Sequence, residues 1–205
     1  MKNITTIFFD AGGVLFDSEL RRVERIKRIL SSKGFEEEAI TKAIVAGENE
    51  YENIGSKWLS EWKDEEDFFD RYYDAIVQNL DTKDKYSLKK QLFHHTHYAV
   101  NCVLFTEVKM LLDDLFGKYK LGVISNAFPS MDWIFDLLDI RKYFNAITFS
   151  YEVGGRKPDL LIYQKALESL NVEASESIFI DDRIENIEKA NELGFTGIHL
   201  DRKIN

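Results

Sequence analysis

Along the chain, short apolar runs alternate with longer stretches in which apolar residues recur every three or four positions. Ile4–Phe9, Leu121–Ile124, Ala146–Phe149, Ile178–Ile180 and Thr196–Leu200 are the short runs, and most end in a polar or glycine cluster. Runs of this length, separated by helical patterns, predict the strands of a parallel sheet with crossover helices. Residues 103–200 supply four of them, and Ile4–Phe9 is needed as the fifth. The helices between them have readable ends. Pro129 is expected to open one that carries Met131, Ile134, Phe135, Leu137 and Leu138. Pro158 suits the first helical position before Leu161, Ile162, Ala166 and Leu170. Ile184, Ile187, Ala190 and Leu193 mark another helix, with Gly194 as its stop signal.

Between about Glu19 and Tyr98 the strand signal disappears. Helices are expected over Glu19–Ser32, Glu36–Glu48, a Trp- and Phe-rich stretch Trp58–Leu80, and Lys83–His94. The pattern predicts a doubly wound, Rossmann-like α/β core from residues 1–17 and 100–205, with residues 18–99 inserted as a helical lid. Sites in doubly wound sheets lie at the carboxyl ends of the strands, so a lid inserted there is expected to close over the site.

Composition narrows the function classes. At 205 residues, 44% hydrophobic and 31% charged, the chain is long and apolar enough for a core plus a small accessory domain. A net charge of -9 argues against a nucleic-acid or anionic-membrane partner. Any phosphate site in such a field must carry its own local positive charge. No apolar run approaches a membrane span, and Met1–Asp10 lacks the long apolar core of a signal peptide, so a cytoplasmic monomer or homodimer is expected. Cys102 is the only cysteine and its apolar flanks predict a small buried hydrophobe, not a nucleophile.

Polar groups follow the predicted strands. Asp10 follows the first, Ser125 and Asn126 the second, and Asp181 and Asp182 the run ending at Ile180. Lys157 lies between a strand and a helix, in Gly154-Gly155-Arg156-Lys157-Pro158. A carboxylate nucleophile, a hydroxyl ligand, a cation and an acidic pair are the parts needed to move a phosphoryl group. Catalysis of that reaction is mostly positioning plus neutralisation of oxygen charge. Taken singly, each has a plain structural reading. Asp10 fits a turn or helix cap, Ser125-Asn126 a helix start, and Asp181-Asp182 a solvated turn.

Taken together, the four segments resemble a known family. Phe8-Phe9-Asp10-Ala11-Gly12-Gly13-Val14-Leu15, Ile124-Ser125-Asn126, Gly155-Arg156-Lys157-Pro158 and Phe179-Ile180-Asp181-Asp182-Arg183-Ile184-Glu185-Asn186 are similar, in order, to the four motifs of haloacid dehalogenase-like hydrolases. The helical insert resembles the C1-type cap of subfamily I, and the likeness spans nearly the whole chain. The resemblance implies a phosphatase-type hydrolase in which Asp10 attacks phosphorus and forms an aspartyl-phosphate. Ser125 and the backbone N–H of Asn126 would hold phosphoryl oxygens, and Lys157 would bind phosphate and orient Asp10. Mg²⁺ is the implied cofactor, with Asp10, the Gly12 carbonyl, Asp181 and Asp182 as its site, Asp181 acting directly or through a water. The implied substrate is a small phosphorylated metabolite.

Two positions depart from the family pattern. Phosphatases of the family usually carry an aspartate two residues after the nucleophile as general acid–base, a role commonly worth about 10²–10⁴-fold in rate. Here that position is Gly12. An easy leaving group, such as an anomeric sugar phosphate or an acyl phosphate, would remove the need; a group in the lid would replace it; a weakly catalytic ligand-binding regulator would dispense with it. A metal-independent 2-haloacid dehalogenase uses the same nucleophile, but it has no use for Asp181-Asp182. The second departure is Asn186, where many relatives carry an acid, and it is expected to bond a metal-bound water or the lysine.

Elsewhere structural roles are expected. His94, His95 and His97 lack partners for a metal site and read as surface or hinge residues, one of them a candidate for the missing acid. Tyr51, Lys57, Trp58 and Trp62 read first as the lid's own core and second as a substrate pocket. Glu36–Glu38 and the basic residues of Arg21–Arg28 read as solvated helix faces.

Overall fold

A strand that buries every residue needs a neighbour on each edge, and Thr6–Phe9 (β1) has both. The computed structural model describes residues 3–54 and 59–202. After β1 come β2 (Phe16–Ser18) and four helices, α1 (Arg22–Ser32), α2 (Glu37–Ile54), α3 (Trp62–Gln78) and α4 (Lys85–Thr96). The chain continues through β3 (Cys102–Leu104), α5 (Val108–Leu115), β4 (Lys120–Ser125), α6 (Met131–Leu137), β5 (Ala146–Phe149) and the single turn α7 (Ser150–Val153). It ends with α8 (Leu160–Leu170), β6 (Ser177–Asp181), α9 (Ile184–Glu192) and β7 (Thr196–His199). These elements gather into two compact units, Met1–Asp17 with Val103–Asn205, and Ser18–Cys102.

The first unit is the expected α/β fold. Its five strands are parallel in the order β5-β4-β1-β6-β7, so the connections leave β1 in opposite directions. Such a reversal is where this fold class places its ligands. Successive side chains of β1 serve opposite faces. The Phe8 ring meets Phe195 edge-on at 6.0 Å, in a cluster with Ile162, Tyr163 and Ala166 of α8 and Ile187 of α9. The Phe9 ring meets Phe144 at 6.3 Å, and Phe144 in turn packs on Phe135 of α6 at 5.7 Å. Burying one such ring contributes about 1.5–3 kcal/mol. Gly122, opposite Phe8 in the register, makes room for it: a Cβ there would lie 2.5 Å from the Phe8 ring.

The second unit is helical apart from its strand ends. Helix α3 packs on α2 and α4, and α1 on α2 and α4, around Ile26, Leu30, Ile44, Phe69, Tyr73 and Leu92. No helix among the described residues is long and apolar enough to cross a membrane.

Several local expectations need correction. Pro158 does not open α8. It lies in a turn closed by the Asp159 N–H to the Arg156 carbonyl at 2.7 Å, and α8 starts at Leu160. Pro129 likewise precedes its helix, which starts at Met131 after a turn over Phe128–Met131. Helix α2 runs past Glu48 to Ile54, because Tyr51 packs on Phe68 at 4.9 Å and Glu50 pairs with Arg71. Strands β2 and β3 pair as a small separate sheet that the apolar pattern did not announce. Cys102 is half-buried, with its thiol donating to the Tyr98 carbonyl at 3.3 Å.

The basic face of α1 is not uniformly solvated. Arg25 is buried and donates to the Thr96 carbonyl at 3.0 Å, while Arg22 stacks on the Phe69 ring at 4.8 Å. His94 and His95 are exposed as expected, but His97 is buried, its Nε2 3.2 Å from Glu65 Oε1. It is packed by the rings of Trp62, Phe69 and Phe93. Tyr51 and Trp62 lie in this aromatic interior of the helical unit; Lys57 and Trp58 lie outside the described residues.

Candidate active site

The register sets the site. Phe9 is level with Val123 of β4 and Ile180 of β6, so Asp10 and Asp181 emerge side by side and Ser125 follows one residue further along β4. Asp10 follows β1, held by its N–H to the Ile180 carbonyl at 2.8 Å. Ser125 ends β4 and is buried, and Asp181 ends β6 with Asp182 next to it.

Lys157 joins these ends. Its Nζ lies 2.8 Å from Asp10 Oδ1 and 2.7 Å from Asp181 Oδ2, with only 1% of the side chain exposed. Its backbone is held by Asn126, whose side-chain Oδ1 accepts from the Lys157 N–H at 2.7 Å while Nδ2 donates to the Lys157 carbonyl at 2.9 Å. Sequence reasoning assigned Asn126 only a backbone N–H; this two-point clamp adds a role for the amide side chain. Ser150 ties down the same loop by accepting from the Ala127 N–H at 3.0 Å.

The three carboxylates are not equivalent. Asp181 is wholly buried and accepts four hydrogen bonds. Lys157 reaches Oδ2, the Arg183 N–H reaches Oδ1 at 2.8 Å, and Asn186 Nδ2 donates to both oxygens at 3.1 and 3.0 Å. A carboxylate has about four acceptor positions, so Asp181 is saturated. Asn186 therefore bonds Asp181 directly, not the lysine. Asp10 Oδ1 accepts from the Ala11 N–H at 2.7 Å and from Lys157. Among the described residues no donor reaches Asp10 Oδ2, and no side-chain donor reaches the solvent-accessible Asp182 carboxylate. Gly13, at φ +77°, is what lets Asp182 sit where it does: a Cβ on Gly13 would come within 2.5 Å of Asp182 Oδ2. Gly12 is half-buried and bridges to Phe16.

Asp10, Asp181 and Asp182 each offer a carboxylate oxygen within 4.8 Å of the others. One ammonium faces three carboxylates, and the charge deficit shows. Burial pushes the Asp10 carboxyl above its ordinary range; the Lys157 ammonium opposes the shift and Asp181 adds to it. Burial likewise raises Asp182, helped by the charges of Asp10 and Asp181. A cluster short of positive charge, with free oxygen lone pairs on two of its members, fits an oxygen-ligated divalent cation.

Residues 4–194 match the family model described as haloacid dehalogenase-like hydrolase. The chain belongs to that family. Sesquiterpene phosphatase astK from Aspergillus oryzae is 42% identical to this hydrolase over 57 residues, which is 28% of this chain and 29% of that protein. The phosphorylated carbohydrates phosphatase of Thermotoga maritima is 25% identical over 198 residues, covering 94% of this chain and 83% of that one. A HAD family enzyme from Bacteroides thetaiotaomicron, solved in complex with magnesium and inorganic phosphate, superposes with a TM-score of 0.68 at 21% identity. That likeness covers 99% of this chain and 97% of the other, and it shows a shared fold.

Tyr163 was not singled out in the sequence. It is fully buried in this hydrolase and donates from its hydroxyl to the Asn186 carbonyl at 3.0 Å. Burial, with the nearby Asp181 and Asp10 charges, holds the phenol strongly in its neutral form. It thus braces the residue that braces Asp181. No sequence signal marks such a contact, because the partners come from different helices, α8 and α9.

Proposed function

We propose that this hydrolase cleaves a small phosphomonoester, with Asp10 as nucleophile and Mg²⁺ as cofactor. The observation that carries the reading is Lys157 bridging Asp10 and Asp181 beside an accessible Asp182, at the adjoining ends of β1 and β6. Asp10 attacks phosphorus; the bond to the ester oxygen breaks with its electron pair staying on that oxygen, which leaves as an alkoxide and takes its proton from water. Water then attacks phosphorus in the aspartyl-phosphate, which releases inorganic phosphate and restores the carboxylate. The Ala11 N–H and Lys157 fix Asp10 Oδ1 and so the carboxylate's orientation. Ser125, the Asn126 N–H and Lys157 are assigned the phosphoryl oxygens.

Asp10, Asp182 and the Gly12 carbonyl would hold the cation. The saturated Asp181 is assigned an outer role, aligning Lys157. When bound, Mg²⁺ supplies neutralisation of phosphoryl charge and fixes the orientation of the oxygens it touches. Gly12 offers no side-chain acid for the departing oxygen, which favours a substrate with a weakly basic leaving group, such as an anomeric sugar phosphate. The action of the Thermotoga relative on phosphorylated carbohydrates supports the same class. The helical unit is assigned the lid role on its place in the chain, inserted after β1 and β2.

A panel of phosphorylated metabolites, assayed with Mg²⁺ and with EDTA, tests the proposal. Release of phosphate that needs Mg²⁺ and disappears in Asp10→Asn is expected. Halide release from a 2-haloacid without metal would replace the reading with a dehalogenase. Tight beryllofluoride binding without turnover of any ester would make the protein a regulator.

A further inference from the structure

The last residue of β7 and the segment that follows it touch both loops of the acidic cluster. The Leu200 N–H donates to the Asp181 carbonyl at 2.9 Å, and the His199 ring, protonated at Nε2, donates to the Asp182 carbonyl at 3.1 Å. Two residues on, Arg202 reaches across to the loop after Asp10. Its Nε donates to the Gly13 carbonyl at 3.0 Å and its Nη2 to the Val14 carbonyl at 2.7 Å. Nη1 pairs with Glu107 at 2.7 Å, and the guanidinium lies 3.5 Å over the Phe105 ring. Three faces of one planar fork are thereby engaged, a geometry that lysine does not reproduce.

Arg202 thus holds the carbonyl of Gly13, the residue whose missing Cβ leaves the space that the Asp182 carboxylate occupies. We propose that Arg202 is a positioning residue for the divalent-cation site, fixing the Gly13 peptide so that Asp10 and Asp182 keep their spacing. This rests on the proposed reading of those carboxylates as a cation site. Groups that orient metal ligands from behind are typically worth about 10–100-fold in metal affinity. Arg202 acts one step further out, through the backbone, so the lower end applies.

Direct binding of Mn²⁺ to the full chain, by calorimetry without substrate, tests the inference. Arg202→Ala should weaken Mn²⁺ binding about tenfold. Arg202→Lys, which keeps the charge but loses the fork, should fall between it and wild type. Glu107→Gln leaves both carbonyl contacts in place and should stay within roughly twofold, since exposed ion pairs contribute little. Wild-type affinity in Arg202→Ala overturns the inference, as does a lowered melting temperature with unchanged affinity. If Arg202→Ala does not fold, Arg202→Lys decides: unchanged Mn²⁺ affinity there is equally fatal. Absence of Mn²⁺ binding by the wild type would instead remove the cation-site reading itself.

Discussion

Replacing Lys157 with methionine separates its charge from its bulk. Methionine keeps an apolar stem beside Phe179, whose ring centroid lies 5.3 Å from the native ammonium. It removes the positive charge 2.8 Å from Asp10 and 2.7 Å from Asp181, where only 1% of the lysine side chain is exposed. Asp181 keeps its contacts from Asn186 and the Arg183 N–H, whereas among the described residues Asp10 is left with the Ala11 N–H alone. The loss therefore falls mainly on Asp10. Removing one partner of a buried pair costs about 3–5 kcal/mol, because the remaining charge is stranded. Without Lys157 the Asp10 carboxyl, already raised by burial, loses the charge that opposes the shift and rises further above its unfolded value. A raised carboxylate destabilises the fold as the pH climbs through its folded value, so the deficit is largest at neutral pH and shrinks on acidification. Urea unfolding of Lys157→Met and wild type, both in EDTA across a pH series, measures it. A deficit below about 1 kcal/mol, the size of a surface pair, or one that does not change with pH, refutes the reasoning.

Other expectations follow from the same cluster. Asp10 and Asp182 are both raised, so their contribution to stability is present below the ordinary carboxylate range and lost as the pH rises through their folded values. The metal-free protein should melt at lower temperature at neutral than at mildly acidic pH, and Mg²⁺ should flatten that slope; identical scanning-calorimetry curves with and without Mg²⁺ would contradict the cation assignment. Asp10→Asn should abolish turnover yet raise the melting temperature of the metal-free protein at neutral pH, since the site disfavours the charge it removes. A lowered temperature would show that pairing with Lys157 outweighs burial. Asn126→Ala should cost about 1–3 kcal/mol in denaturant titration by stripping both partners from the Lys157 backbone; unchanged stability would dismiss the clamp.

The sheet was legible because parallel strands covered on both faces must be apolar at nearly every position, and Ile7-Phe8-Phe9 and Val123-Ile124 are. Asp10, Ser125, Asp181 and Asp182 stood out because they directly follow such runs or end them, and Lys157 only because its segment completes the ordered motif set; the fold brings Lys157 within 2.8 Å of Asp10 and 2.7 Å of Asp181. What escaped depends on partners distant in sequence. The Asn126 clamp joins residues 31 apart, and Arg25 finds the Thr96 carbonyl 71 residues away. Arg202 and Gly13 are 189 apart. A buried arginine or His97 is indistinguishable from a surface one until the fold brings its partner, so charge alone misread them. Pro158 misled because proline suits a turn as well as a first helical turn, and here the Arg156–Asp159 turn claims it.

Whether Asp10 is covalently phosphorylated is the most direct question. Wild-type enzyme quenched with acid during turnover of an accepted ester, then reduced with borohydride and digested, should yield a peptide with homoserine in place of Asp10. Turnover with residue 10 unmodified, or with the label on another side chain, would contradict the mechanism.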